Sequence, residues 1–231
     1  QGDKRVLGQV VEAGGQEEGL RILHLLAGHP STARFISYKL ARRFVSDEPP
    51  PALVERAAAT YLRTGGNIRE VLRTILVSPE FLAPQTRQAK VKTPLEFVVS
   101  AVRAAGGQVS DARDLARRLG EMGMPLYLQA PPTGYEDTAE AWVSSSGLLA
   151  RLNFALDLAE GRVPGVTTDP ALGAAPGGDL AALRDELAAR LTPAGLSAAT
   201  LATLEQESRS GSLRPTRLAG LILGSPEFQR R

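Results

Sequence analysis

Three carboxylates, Glu136, Asp137 and Glu140, fall within five residues and are flanked by Tyr135 and Trp142. General acid–base chemistry needs two carboxyls at a defined separation, one of them kept protonated by an apolar wall. The phenol and indole rings are candidates for that wall. Arg151 follows in the run "LLARLNFAL", beside the polar Asn153. There Leu148, Leu149, Leu152 and Ala155 or Leu156 mark an apolar helical stripe, which sets Arg151 between core and rim. A buried arginine needs an acidic partner, and a carboxylate of the preceding loop is the natural one. Two readings follow. Tyr135, Glu136, Asp137, Glu140, Trp142 and Arg151 form either a ligand pocket or a clamp that holds the loop down, and the clamp is preferred. Asp137-Thr138 and Glu140 also suit the plain task of capping a short helical turn. Calcium chemistry is not indicated, because the acids lack EF-hand spacing.

The other reactive side chains are sparse. His24 and His29, the only histidines, stand five residues apart, about 140° round a helix, which is wrong for an i, i+4 metal pair. Structural roles are expected: His24 beside an apolar stripe, His29 satisfying free carbonyls past a helix end. Arg34, Tyr38 and Arg42 share one helical face, an anion or partner surface in the functional reading. The preferred reading is a solvated face paired to Asp47-Glu48. Ser146-Gly147 lacks the leading glycine of a nucleophile elbow and has no histidine downstream. Walker and dinucleotide fingerprints are missing, and Gly65-Gly66-Asn67 reads as a helix corner. No metal and no cofactor is implied.

The elements that must position these residues are helical. Apolar residues recur at helical spacing in "EEGLRILHLLAG" (Leu20, Leu23), in "HPSTARFISYKLARRFV" (Phe35, Ile36, Leu40, Phe44) and in "PPPALVERAAATYLRTGG". Asn67 caps "IREVLRTILV". The tetrapeptide Ser-Pro-Glu-Phe then appears at 78–81 and again at 225–228. Serine suits an N-cap, proline the first helical position, and glutamate the positive end of the helix dipole. Because proline disfavours α conformation in the residue before it, the upstream helix must stop there. The repeat is thus a stop-and-restart corner rather than a duplicated site, and Thr93-Pro94 is a third corner. Helices are also predicted from 110 to 122, after the serines 144–146, and over 179–191, 197–208 and 214–224. Convincing strand alternation is absent.

One stretch breaks the rhythm. Residues 123–142, "GMPLYLQAPPTGYEDTAEAW", hold three prolines and no sustained period. Irregular loops of that length tend to be functional or disordered, and its aromatic content argues for order. A second stretch, 162–178, is rich in proline, glycine and alanine and reads as a linker or surface strap. The expected architecture is all-α: an irregular multi-helix bundle with a main domain over 1–161, the strap, and a helical segment over 179–231 packed on the first.

Composition narrows the function classes. Of 231 residues 43% are hydrophobic and 23% charged, and the formal net charge is +2, as in ordinary globular proteins. Only Lys4, Lys39, Lys90 and Lys92 are lysines, so arginine carries nearly all positive charge. Acids and bases alternate along the chain, which argues against nucleic-acid binding. Cysteine is absent, which excludes disulfides, thiolate metal sites and cysteine nucleophiles. No apolar run approaches the roughly 20 residues of a membrane span, and the polar N-terminal segment has no signal-peptide core.

Taken in order, "AGHPSTARFISYKLARRFVSDEPPPALVERAAATYLRTGGNIREVLRTILVSPEF", "KTPLEFVVSAVRA", "MGMPLY…PPTGY…AWVSSSGLLARLNFAL" and the terminal "SPEFQRR" resemble the C-terminal half of a bacterial family, domain of unknown function 1800. The resemblance spans essentially the whole chain. It implies a longer parent whose N-terminal half is missing here, so that the chain is a fragment, a cleavage product or half of a split domain. It also implies export, to the periplasm or beyond, and supplies no catalytic residue. The reading that follows is a non-catalytic helical scaffold or interaction domain, whose partner is that missing half or another protein. The alternative is a hydrolase-like or small-ligand-binding role in a pocket formed by the 123–143 loop.

Overall fold

The structure, a computed structural model, describes residues 2–175, 178–209 and 213–231. Among the described residues are eleven α-helices and two small two-stranded sheets, a mostly-α multi-helix fold. Contacts group the chain into two compact units, Gln1–Ala89 and Lys90–Arg231. The boundary therefore falls ahead of Lys90, and the 162–178 stretch runs inside the second unit. There Val163, Val166 and Leu172 are buried, which fastens the stretch to the core; its residues 176 and 177 lie outside the described set.

The first unit opens with an antiparallel hairpin, β1 (Lys4–Val6) and β2 (Gln9–Val11). Its turn residues Leu7 and Gly8 both take positive φ, 49° and 79°, the geometry of a primed hairpin turn. Leucine is a rare choice there, and it masks the hairpin in the sequence. Four helices follow: α1 (Gln16–Ala27), α2 (Pro30–Phe44), α3 (Pro51–Arg63) and α4 (Ile68–Leu76), then the single turn α5 (Pro79–Leu82). His29 N-caps α2, its Nδ1 accepting from the Ser31 N–H at 3.1 Å. Its ring therefore serves the start of the next helix, while its backbone N–H donates to the Leu26 carbonyl of the previous one at 3.2 Å. His24 Nδ1 lies 2.8 Å from the Leu20 carbonyl.

The buried face of α2 differs in part from the one expected: Ile36 and Leu40 pack against the core, but Phe35 and Phe44 do not. Ala33, Ser37 and Ala41, spaced by four, face inward, whereas Phe35 is 61% exposed and Phe44 is also exposed. Small residues at that spacing let a neighbouring helix approach the backbone, and α3, the main partner of α2, contributes Ala57 and Ala58 to the same core. Packing depth selected the face, not side-chain size. On that exposed side Arg34 pairs with Glu55 at 2.8 Å, and Arg42 stacks on and donates to Tyr38 while bonding the Asp47 carbonyl at 3.0 Å.

The second unit starts with an extended pairing. Residues 90–92 run antiparallel to residues 229–231, with Lys92 N–H donating to the Gln229 carbonyl at 2.8 Å and Arg231 N–H to that of Lys90 at 2.9 Å. Helix α6 (Pro94–Ala104) begins in a capping box between Thr93 and Glu96. Strand β3 (Gln108–Val109) pairs with β4 (Val166–Thr167), and between them lie α7 (Arg113–Glu121), the long loop and α8 (Ser145–Ala159). Helices α9 (Leu180–Leu191), α10 (Ala198–Arg209) and α11 (Pro215–Leu223) complete it. The core joins Phe97, Phe154, Leu158, Leu183, Leu187, Leu218, Ile222 and Phe228. Phe97 meets Phe154 and Phe228 edge-on, each centroid 6.1 Å away.

Helix α11 packs closely on α8. A Cβ at Gly220 would stand 2.9 Å from Leu156 Cα, and one at Gly224 would stand 2.7 Å from Leu152 Cδ1. Both glycines are therefore packing residues: they allow the two backbones to touch.

Candidate functional site

The 123–143 loop is fastened from beneath. Trp142 is only 6% exposed; its ring meets Tyr135 at 5.9 Å, and its indole N–H donates to the Glu136 carbonyl at 3.0 Å. Tyr135 in turn donates its hydroxyl to the Pro125 carbonyl. A 3₁₀ turn, Ala139–Ala141, delivers Trp142 to its seat. The loop is thereby an ordered strap whose aromatic residues satisfy the loop's own backbone, as buried polar groups must.

The three carboxylates do not converge on those rings. Glu136 and Glu140 are exposed. Asp137 faces Lys90, whose buried ammonium donates to the Asp137 carbonyl at 2.6 Å and lies 3.6 Å from its carboxylate. Lys90 thus anchors the loop, and the expected pairing of Arg151 with a loop carboxylate is corrected. Arg151 is 1% exposed, deeper than the rim position its neighbours suggested. Its Nη1 reaches Gln229 Oε1 at 3.5 Å, and its guanidinium lies over the Phe97 ring, 5.4 Å from the centroid. Among the described residues Nε and Nη2, both buried, have no hydrogen-bond partner. Burial pulls the Arg151 pKa down to about 10, with the Glu96 charge opposing; at neutral pH the group is a buried cation.

The register of α8 explains the misplacement. Gly147, Arg151, Phe154, Ala155, Leu158 and Ala159 face inward, while Leu148 and Leu149 are exposed. Helix α11 abuts the Leu152 and Leu156 side of α8 at backbone contact, which turns Arg151 toward Phe97. Asn153 is exposed.

A second group was not foreseen in the sequence. Lys92, Glu96, Ser100, Arg103 and Arg231 surround a cavity of about 390 Å³. Lys92 Nζ sits 3.9 Å from the centroid of the Phe228 ring, and burial, reinforced by Arg231 and opposed by Glu96, lowers its pKa to about 8. Glu96 is engaged by the Thr93 N–H at 2.9 Å and by Arg231 at 3.2 Å. The one available signal was composition: two of four lysines in an arginine-rich chain stand at 90 and 92.

Fold and site thus define a mostly-α protein with an ordered aromatic strap and a small basic cavity. The chain belongs to the family described as "Protein of unknown function (DUF1800)", whose sequence pattern matches residues 1–230. No curated protein and no solved structure matches the chain.

Proposed function

We propose that this region acts as a non-catalytic interaction module, with the 123–143 loop as its docking element and another polypeptide as partner. That partner is the half of the family that precedes this region in the resemblance, or a separate protein. Export from a bacterial cell belongs to the same reading, through the resemblance alone. One observation carries it. The loop is pinned beneath by Trp142, Tyr135 and Lys90, yet its tip turns Leu126, Tyr127 and Leu128 outward. Tyr127 is fully exposed and held at φ 60°, a left-handed conformation that a bulky residue adopts at a cost of order 1 kcal/mol or more. A rigid, outward-facing tyrosine is the residue type of an interface anchor, and the flanking leucines add exposed apolar surface around it. Acid–base chemistry at the same loop finds less support, since Glu136 and Glu140 face solvent and no apolar wall encloses them.

The test is site-specific photo-crosslinking in the producing cell, with the reactive group at position 127 and a control at the exposed Arg190. The reading expects a discrete adduct at 127 and none at 190. Its identified partner, reconstituted from purified components, should lose binding to the double variant Tyr127→Ser, Leu128→Ser while the variant's Tm stays unchanged. Equal labelling at both positions, or full binding by the double variant, would overturn it.

A further inference from the structure

We propose that the cavity between the start of α6 and the paired segment 229–231 is a binding site for a small oxyanion, a phosphate or carboxylate group. It is lined by three cations, Lys92, Arg103 and Arg231, one carboxylate, Glu96, and the side chains of Val99 and Ser100. That carboxylate is already engaged by Thr93 and Arg231. Among the described residues neither Lys92 nor Arg103 has a salt-bridge partner. The cavity therefore holds an excess of positive over negative side chains, three against one. Ser100, one turn beyond Glu96 on the same helix, also lines the cavity, its hydroxyl donating to the Phe97 carbonyl at 3.1 Å.

The setting strengthens the attraction. Lys92 is held against the Phe228 ring, so its ammonium is partly stripped of water and positioned by packing. Behind the same aromatic cluster Arg151 adds a buried cation with two nitrogens unpartnered among the described residues, and Glu96 is the carboxylate whose charge reaches it. Lys92, Arg231 and Arg151 thus share the charge of a single carboxylate, with Arg103 on the exposed rim of the same cavity. An anion in the cavity would balance Lys92 and Arg103 and relieve the field of Arg151. The depressed Lys92 pKa agrees with this: the cation is held where it is poorly solvated. A volume of about 390 Å³ sits at the small end of ligand pockets, so a compact anion or the anionic end of a larger molecule is the class that fits.

Titration calorimetry at constant ionic strength tests the proposal, with inorganic phosphate in one arm, succinate in a second and chloride as the blank. Saturable heat is expected with phosphate or succinate, and the stronger arm identifies which oxyanion the site prefers. Arg103→Gln, at an exposed position that leaves folding intact, and Lys92→Gln should each weaken binding about tenfold or more, as loss of one charge-assisted contact requires. Arg190→Gln removes the same charge from α9 and should leave binding unchanged. Absence of saturable binding to either anion overturns the proposal, as does an equal loss in Arg190→Gln, which would mean diffuse charge attraction. Should Lys92→Gln fail to fold, Arg103→Gln decides alone.

Discussion

The tetrapeptide Ser-Pro-Glu-Phe makes the same corner in both units and builds different things with it. At 78–81, Ser78 Oγ accepts from Phe81 N–H at 3.1 Å, Glu80 pairs with Arg56 at 2.7 Å, and Phe81 is only partly buried. At 225–228, Ser225 Oγ accepts from Phe228 N–H at 3.3 Å, but Phe228 is 4% exposed, wedged against Phe97 and carrying Lys92 on its ring. Glu227 there turns to the Ser197 N–H and the Thr200 hydroxyl, at 3.0 and 2.9 Å. The residues leading in differ as well. Arg73 and Val77 of the first corner are solvent-facing, whereas their counterparts Gly220 and Gly224 touch α8. A local motif settles a change of chain direction; its surroundings settle whether that change closes a core.

That contrast can be broken by mutation. Phe228→Ala should cost about 3–5 kcal/mol in urea unfolding, the usual range for a buried phenylalanine. Phe81→Ala should cost less than half as much, and equal losses would erase the distinction between the corners. Gly220→Ala should follow, at about 1–3 kcal/mol, because the added methyl meets backbone that cannot withdraw. Arg73→Ala, its counterpart, should stay within about 0.5 kcal/mol. The capping serines offer the sharpest check on what the corners share: Ser78→Ala and Ser225→Ala should each cost about 1 kcal/mol, and by similar amounts.

The smallest effect separates the corners by charge. The pKa of Lys92 is about 8 in the folded protein, whereas an unfolded lysine keeps its proton to about pH 10.4. Between those values the unfolded chain binds more protons, so stability rises with pH across that window. With the ammonium still partly solvated, the gain should be under about 1 kcal/mol. Lys92→Gln should flatten that rise in a pH series of denaturation midpoints. A variant with an undiminished rise would place its origin elsewhere.

How far the molecule was legible varies with the distance over which its interactions act. The corners at Ser78, Thr93 and Ser225 were readable because a cap and its N–H lie three residues apart. The β1–β2 hairpin escaped because Leu7 occupies a turn position where asparagine or glycine would have announced it. The face of α2 is only half legible: hydrophobicity points to Ile36 and Leu40, which do reach the core, and also to Phe35, while the close approach of α3 selects Ala33, Ser37 and Ala41. At the loop, the ordering role of Tyr135 and Trp142 was visible as aromatic content amid prolines. Lys90 as the anchor of Asp137 was not, being 47 positions away.

By itself, then, the order of residues determined the helical class, the stops and restarts, and one ordered interruption, because each depends on backbone groups satisfied within a turn or two. Tertiary structure decided which face of each helix is buried, that Arg151 meets Gln229 and Phe97 instead of a loop carboxylate, and that Lys92, Arg103 and Arg231 share one cavity. Those outcomes join segments up to 139 residues apart, and so they depend on how the packed helices exclude one another's volume. Local propensity carries no information about that.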